Sequence, residues 1–517
     1  MLRRSVFSGS GRWRIPRRYS IDAFLEFERE MAKKKRAASP PQPPAARRLV
    51  PPTKPLDSEC CNLNCPNCVL LVYNEQLLEY EDSVRWEALA TSSTDAFIKQ
   101  FQATTPPPPP DVTLTWASPA QALHLHEQSG ISSSTPVPPR GVHPHPVIVH
   151  QVLSETSSRS VHHIELDIAP QTTYDTAGNC NVHLPNANSV VTRCLKRLSN
   201  RPTTTSLVQV LPGHSKTYLP SNEWLSLTSL FTWYVDLSST PTPRLLRHLS
   251  GYATAAPDQT KLAQWATDIP RTLSLVDVLE ACPSVALSVE ALLSLAPPLV
   301  VRSYTIASSP KTNHTSVALT VAAKPPPLDG RCSTHLASTT PFSSTVFASL
   351  APSAFSQHWG AHYPPTVSLL WIGAGTGVAP FRGLIQELAL VKNRPKVALY
   401  VGCREPSSDE LYQCEMQTAL ATQVLSAYVP VYSNHPPTSH TQDGPWHVGA
   451  KLKQDAATVC QYLEHGTVYV CGSLAMGRDV KLALVNCLES HRGWSVDQAK
   501  AYVTSLQLNG RYVAEVW

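Results

Sequence analysis

Three glycines in W-I-G-A-G-T-G-V-A-P-F-R-G (Trp371–Gly383), at 373, 375 and 377, stand between an apolar run, Val367 to Ile372, and a helix-prone stretch from Phe381. That order predicts strand, tight turn and helix start. Bare backbone there approaches a pyrophosphate closely, and the free N–H groups and helix dipole favour its negative charge. Taken alone, a G-x-G-x-G loop is weak evidence, because roughly one such match in three is a simple tight turn. A second chemistry is offered by Pro51–Val69, where Cys60, Cys61, Cys65 and Cys68 follow the spacing C-C-x3-C-x2-C. Four thiolates in nine residues suit zinc or an iron–sulfur cluster, although zinc fingers ordinarily separate two pairs of ligands. A redox dithiol pair and a packing or docking knuckle stay open beside the metal reading.

The glycine turn needs a sheet to hold it. After Thr366 strand and helix patterns alternate: Val367–Ile372, Phe381–Val391, Lys396–Val401, Ser408–Ala421, Ala427–Tyr432, Ala456–Leu463, Thr467–Val470 and Met476–Ser490. Such alternation predicts a doubly wound parallel sheet with its site at the carboxyl edge. Earlier, His162–Ile168, Leu299–Ile306 and Val317–Ala322 read as strands, and residues 186–297 between them read largely helical. Residues 96–146, with the Pro106–Pro110 run, predict a linker whose His124, His126, His143 and His145 are a solvated scatter, with ordered structure starting near Val147.

Charge separates the chain into two parts. Residues 1–54 hold fourteen Lys/Arg against four acids, a net of +10, and the remainder is −5. A mildly acidic body argues against nucleic acid as a partner. Six arginines with serines precede the first acid, Asp22, which suits an organellar transit peptide; mitochondrial import is the expectation and a cytoplasmic location the alternative. Apolar runs such as Val69–Tyr73 are too short for a membrane span. The nine cysteines outside 60–68 are scattered, as in an enzyme of a reducing compartment.

Five segments occur in order: R-S-Y-T-I-A-S-S (Arg302–Ser309), G-R-C-S-T-H-L (Gly330–Leu336), the glycine loop, V-G-C-R…D-E-L-Y (Val401–Tyr412) and V-Y-V-C-G…M-G-R-D-V (Val468–Val480), with G-R-Y-V-A-E-V-W (Gly510–Trp517) after them. Together they resemble the ferredoxin–NADP⁺ reductase superfamily, specifically the FAD/NADPH half of the diflavin reductases, the group of NADPH–hemoprotein reductase, the sulfite reductase flavoprotein and methionine synthase reductase. F-T-W-Y-V-D-L (Phe231–Leu237) looks like that family's connecting segment. The resemblance implies an α/β + β architecture: an FAD-binding antiparallel β-barrel over 147–365 with a helical connecting insert at about 186–297, then a doubly wound parallel α/β NAD(P)-binding domain over 366–517. Residues 1–50 are expected to be a disordered basic region and 51–95 a module similar to the small "oxidoreductase-like" domain.

On the same resemblance, Arg302 pairs with the flavin pyrophosphate, Tyr304 stacks on the isoalloxazine, and Thr305 lies near flavin N5. Gly330, Cys332, Ser333 and Thr334 add backbone N–H groups to that pyrophosphate. Gly373, Gly375, Thr376 and Gly377 receive the nicotinamide dinucleotide, with Arg404 and Ser433 assisting. Cys471 and Glu515 flank the hydride path, and Trp517 covers the flavin. The implied enzyme takes hydride from NADPH, or NADH, onto FAD and passes electrons to a protein acceptor or a separate carrier. No Ser/Thr-rich phosphate loop precedes residue 147, so FAD without FMN is expected. A cluster at Cys60, Cys61, Cys65 and Cys68 would then supply a one-electron carrier.

Several positions depart from the family pattern. Asn434 stands where an Arg follows Ser, and Pro445, His447 and Gly449 stand near its Lys-x-Tyr-x-Gln; Ser473, Glu515 and His335 replace Asp, Asp and Trp. Losing that Arg removes a charge-assisted contact to a 2′-phosphate, for which Lys451 or Lys453 would have to compensate. Kinship alone then favours NADPH. The departures also frame an alternative: a catalytically weakened reductase-like protein that binds a partner or metal through its cysteine module.

Overall fold

The computed structural model describes residues 51–55, the helical positions 73, 76, 77, 80, 81 and 84, residues 109–129, and 135–517 except 201, 204–205, 215, 217, 271, 326–329, 360–365 and 438–445. The basic segment and Cys60, Cys61, Cys65 and Cys68 lie outside the described residues. In chain order the strands are β1 (Leu114–Trp116), β2 (His143–Glu155), β3 (Ser160–Asp167), β4 (Asn179–His183), β5 (Leu207–Val210), β6 (Trp224–Ser226), β7 (Arg302–Thr305), β8 (Ser316–Ala323), β9 (Thr345–Ala351), β10 (Ser368–Ala374), β11 (Lys396–Cys403), β12 (Ala427–Tyr432), β13 (Thr467–Gly472) and β14 (Tyr512–Val516).

Six strands form an antiparallel sheet in the order β7-β4-β9-β2-β3-β8. An antiparallel bridge from Ile306 to Leu319, continued by Ala307 N–H donating to Ala318 O at 2.7 Å, joins its two ends and closes it. Inward residues Val147, Ile164, Leu166, Cys180, Val182, Val317, Leu319 and Ala348 fill the interior, the alternation expected of strands with one face on a core. Between β4 and β7 runs the expected helical insert, with helices at Asn188–Arg197, Leu227–Trp233, Pro243–Gly251, Ala256–Thr267, Leu275–Ala281 and Val289–Leu295. Ser226, Thr242, Ser274 and Ser288 each cap one of these helices by accepting a first-turn N–H.

The stretch read as linker contributes more than that reading allowed. β1 pairs with β5, and the insert's small sheet has the order β1-β5-β6. A helix follows at Pro119–Ser129. β2 begins at His143, not near Val147, and its H-P-H-P start pairs with β9 alone, while β3 pairs from Val147 onward. Proline is tolerated where a strand has one neighbour. His145 is correspondingly not a solvated residue: it is buried, with Nδ1 3.1 Å from Asp167 O.

The second layered unit is a parallel sheet in the order β12-β11-β10-β13-β14. The chain steps outward from β10 to β11 and β12, then returns to the other side of β10 for β13 and β14. Leu369–Ile372 and all of β13 are buried, which explains their unbroken apolar sequence. The switch of direction beside β10 opens a crevice at the carboxyl ends of the strands. A 3₁₀ turn, Gly375–Val378, and the helix Ala379–Ala389 leave β10 there. Two glycines are required: Gly375 has φ +55°, and a Cβ on Gly377 would lie 2.1 Å from Cys471 O. Because the obstacle at Gly377 is backbone of a central strand, Gly377→Ala is expected to destabilise the chain by about 3 kcal/mol or more, the upper range of overpacking. Urea or thermal unfolding of the variant checks this.

Candidate functional site

Antiparallel and parallel units meet through polar side chains of definite geometry. Tyr412, held at φ +57°, places its Oη 3.0 Å from His163 Nδ1 on β3 and 2.8 Å from Thr320 Oγ1 on β8. The Arg382 guanidinium lies over the Tyr412 ring at 4.9 Å and donates to Ala307 O at 2.9 Å. Glu387 accepts from Thr176 Oγ1 at 2.6 Å and is paired with Lys311. These contacts align β7 of the barrel with the carboxyl ends of β10 and β13.

Two groups of side chains result. On the barrel side, Arg302 is exposed on β7 and Tyr304, two residues on, donates from Oη to Cys332 Sγ at 3.6 Å. Cys332 belongs to the helix Arg331–Ala337, whose N-cap is Gly330. Thr334 N–H already donates to Gly330 O at 2.9 Å. Expected as a pyrophosphate donor, Thr334 therefore has its backbone N–H engaged; those of Arg331, Cys332 and Ser333 have no backbone acceptor among the described residues. A guanidinium, a tyrosine face and first-turn donors fit a flavin nucleotide's phosphates and ring.

Where the two units meet, Thr305 Oγ1 donates to Glu515 Oε2 at 3.5 Å, and Phe355 N–H donates to Glu515 Oε1 at 3.0 Å. Cys471, fully buried at the end of β13, lies in register with Glu515 on β14 and Gly373 on β10. Thr305, Cys471, Glu515 and the glycine turn are thus brought together, as the sequence motifs implied.

Above them opens a cleft of about 600 Å³ lined by Gly375, Thr376, Arg404, Ser433, Ser473 and Trp517, among others. Trp517 is 58% exposed, while its N–H donates to Gly472 O and its carbonyl accepts from Leu474 N–H. Gly377 sits behind the cleft wall, packed on β13.

One cleft residue carried no sequence signal. Arg159, in the turn between β2 and β3, reaches from the barrel to the glycine turn, its Nη1 3.5 Å from where a Gly375 Cβ would stand. Its Nη2 donates to buried Asp409 at 2.5 Å, and its Nε is buried without a partner. Asp409 also accepts from Arg404 N–H at 2.9 Å. A buried guanidinium N–H with no acceptor, beside bare glycine backbone, fits an anionic ligand such as a dinucleotide pyrophosphate. A lone arginine in a hairpin turn is indistinguishable in sequence from a surface charge. Lys451 and Lys453 are not among the cleft's lining residues, and Lys451 Nζ donates to Asp455 at 2.7 Å.

Among the described residues no group of three or more His, Cys, Asp or Glu is arranged for a metal ion, and no helix is long and apolar enough to cross a membrane.

Comparison with known proteins agrees with this geometry. Residues 135–340 match the FAD binding domain family and residues 371–482 the oxidoreductase NAD-binding domain family. The bifunctional cytochrome P450/NADPH–P450 reductase 2 of Bacillus subtilis (strain 168) is 29% identical over 393 residues, covering 71% of this chain and 36% of that protein. Human inducible nitric oxide synthase is 30% identical over 399 residues, 70% of this chain and 33% of that one. Human NADPH–cytochrome P450 reductase is 26% identical over 401 residues, 72% and 58% of the two chains. The alignments span about a third of the bifunctional relatives and over half of the human reductase. Through residues 135–340 and 371–482 the chain therefore carries the FAD- and NAD-binding half of a diflavin-reductase-type protein of the ferredoxin–NADP⁺ reductase superfamily.

Proposed function

We propose that the chain is a flavoprotein reductase that oxidises NAD(P)H and passes electrons to a protein acceptor. The observation that carries this reading is that the glycine turn and Trp517 line one cleft, while Thr305 of the flavin-type barrel meets Glu515, the register partner of Cys471, on the dinucleotide-type sheet. Bound FAD would supply the redox chemistry, accepting hydride from the nicotinamide.

The chain's own residues do the positioning. Arg302 and the first-turn N–H groups of Cys332 and Ser333 would hold the flavin phosphates, and Tyr304 would face the ring. Arg159, Gly375 and Thr376 would hold the dinucleotide. Trp517 covers the mouth and keeps water from the reacting face. Burial pushes the Cys471 thiol well above its ordinary range, with Glu515 adding to the shift. Cys471 is therefore a neutral S–H in the working range, a small polarisable contact for a nicotinamide ring and not a nucleophile. Ser473, which replaces an acid, caps the helix Leu474–Arg492 by accepting Met476 N–H at 3.2 Å, so that substitution keeps the local backbone.

Motifs outside the described residues extend this proposal. Spacing supports Cys60, Cys61, Cys65 and Cys68 as thiolate ligands for zinc or an iron–sulfur cluster, and the arginine- and serine-rich start supports mitochondrial import.

Burial raises the Glu515 carboxyl above its ordinary value, against the lowering effect of hydrogen bonds from Ser353, Phe355, Ala354 and Thr305. The folded chain thus holds a proton that the unfolded chain has released. Its stabilising contribution is complete below the ordinary value of 4.5 and is lost as pH rises through the folded value. Glu515→Gln has no proton to lose. Its stability relative to the parent should improve as pH rises above 4.5, read from urea unfolding across a pH series; a difference independent of pH would rule out the raised carboxyl.

An absorption spectrum of the purified protein tests the function. A bound flavin band near roughly 450 nm that bleaches anaerobically with NADPH or NADH is the expected result. A flavin-free protein, or a flavin neither nucleotide reduces, would leave a partner-binding role for a weakened reductase fold.

A further inference from the structure

The sheet order determines where each end of a bound dinucleotide lies. If the glycine turn after β10 takes the pyrophosphate, the Cys471 and Trp517 side beside β13 takes the nicotinamide. The adenosine ribose then extends over the carboxyl ends of β11 and β12. Those ends are Arg404–Glu405 and Ser433–Asn434–His435.

Their chemistry is acidic. Glu405 Oε1 accepts from Asn434 Nδ2 at 2.7 Å, and its Oε2 lies 2.5 Å from His435 Nε2. One carboxylate therefore ties together the two strand ends on which the ribose would rest. Arg404, its neighbour, turns toward the barrel, where Nη1 donates to Ser158 Oγ at 2.9 Å. From Glu405 to Ala450 the chain has no lysine or arginine, and Lys451 is engaged by Asp455 and Gln454. A further carboxylate, Asp479, lines the cleft next to Gly449. Cations of the cleft are Arg159, Lys324 and Arg404; Arg159 and Arg404 are placed on the Asp409 and Ser158 side, toward the pyrophosphate.

We propose that this rim selects a dinucleotide with a free ribose 2′-hydroxyl over its 2′-phosphorylated form, with Glu405 as the discriminating residue. A carboxylate at the end of the second strand of a doubly wound sheet accepts a hydrogen bond from a ribose hydroxyl. A phosphate monoester carries close to two negative charges near neutral pH and meets repulsion there, with Arg404 turned to Ser158 and no lysine or arginine from Glu405 to Ala450 to offset it. The inference rests on the reductase reading only in placing a dinucleotide in the cleft, and it runs against the preference that kinship suggests.

The test uses the full, flavin-loaded chain and two fragments that differ only in the phosphate, 5′-AMP and 2′,5′-ADP, titrated calorimetrically. The parent should bind 5′-AMP at least as tightly as 2′,5′-ADP. Glu405→Gln should move the affinity ratio about tenfold toward 2′,5′-ADP, and Glu405→Arg about a hundredfold, with flavin content and melting temperature unchanged. Tenfold tighter binding of 2′,5′-ADP by the parent would overturn the proposal, as would a ratio that Glu405→Gln leaves unmoved or an absence of binding by either fragment. Flavin bleaching by NADH and NADPH is scored separately: its failure would sink the reductase reading, while the fragment ratio still reports selectivity.

Discussion

The contact between the glycine turn and the carbonyl of Cys471 is the constraint on which the rest of the site depends. Gly377 lies so close to β13 that a single methyl group would overlap backbone, so the turn, β10 and β13 have one mutual placement. That placement puts the first donors of the following helix at the crevice mouth and Cys471 behind it. Because β14 is in register with β13, Glu515 follows without further instruction. A side chain at position 377 would move the backbone of the glycine turn and Cys471 together.

The second condition is alignment between barrel and sheet, and polar contacts provide it. Tyr412 crosses to His163 and Thr320, Arg382 to Ala307, and Arg159 to Asp409. Hydrogen bonds fix direction as well as distance, which suits a joint that must hold Thr305 against Glu515. Asp409 has two tasks here, since it receives both Arg159 and the Arg404 backbone. The residue that orders the cleft floor therefore also ties the two units to each other.

Much of this was legible in the sequence. The parallel unit could be read because its central strands β10 and β13 are buried on both faces and so appear as apolar runs; the edge strand β12 matches Ala427–Tyr432 residue for residue, and the elements around the glycine turn agree to within a few residues. The motif residues Thr305, Cys471 and Glu515 converge as their order implied. What escaped detection was non-local. β1 exists because β5 pairs with it, and the H-P-H-P start of β2 is a strand only because β9 lies alongside; neither segment has a periodicity of its own. Arg159 acquires meaning only from Gly375 and Asp409, some two hundred residues away. Thr334 shows the reverse limit: a motif points to a helix start, and helix geometry decides which of its N–H groups stay free.

Trp517 combines a pinned main chain with an exposed ring. Its N–H and C=O are both engaged by the turn that follows β13, so uncovering the site requires rotation about side-chain torsions and no movement of a loop. Rotamer changes of exposed side chains take on the order of nanoseconds or less, whereas loop lids open over microseconds to milliseconds. A side-chain gate of this kind would open far faster than a loop lid, so in the proposed reaction its opening would not be the slow step.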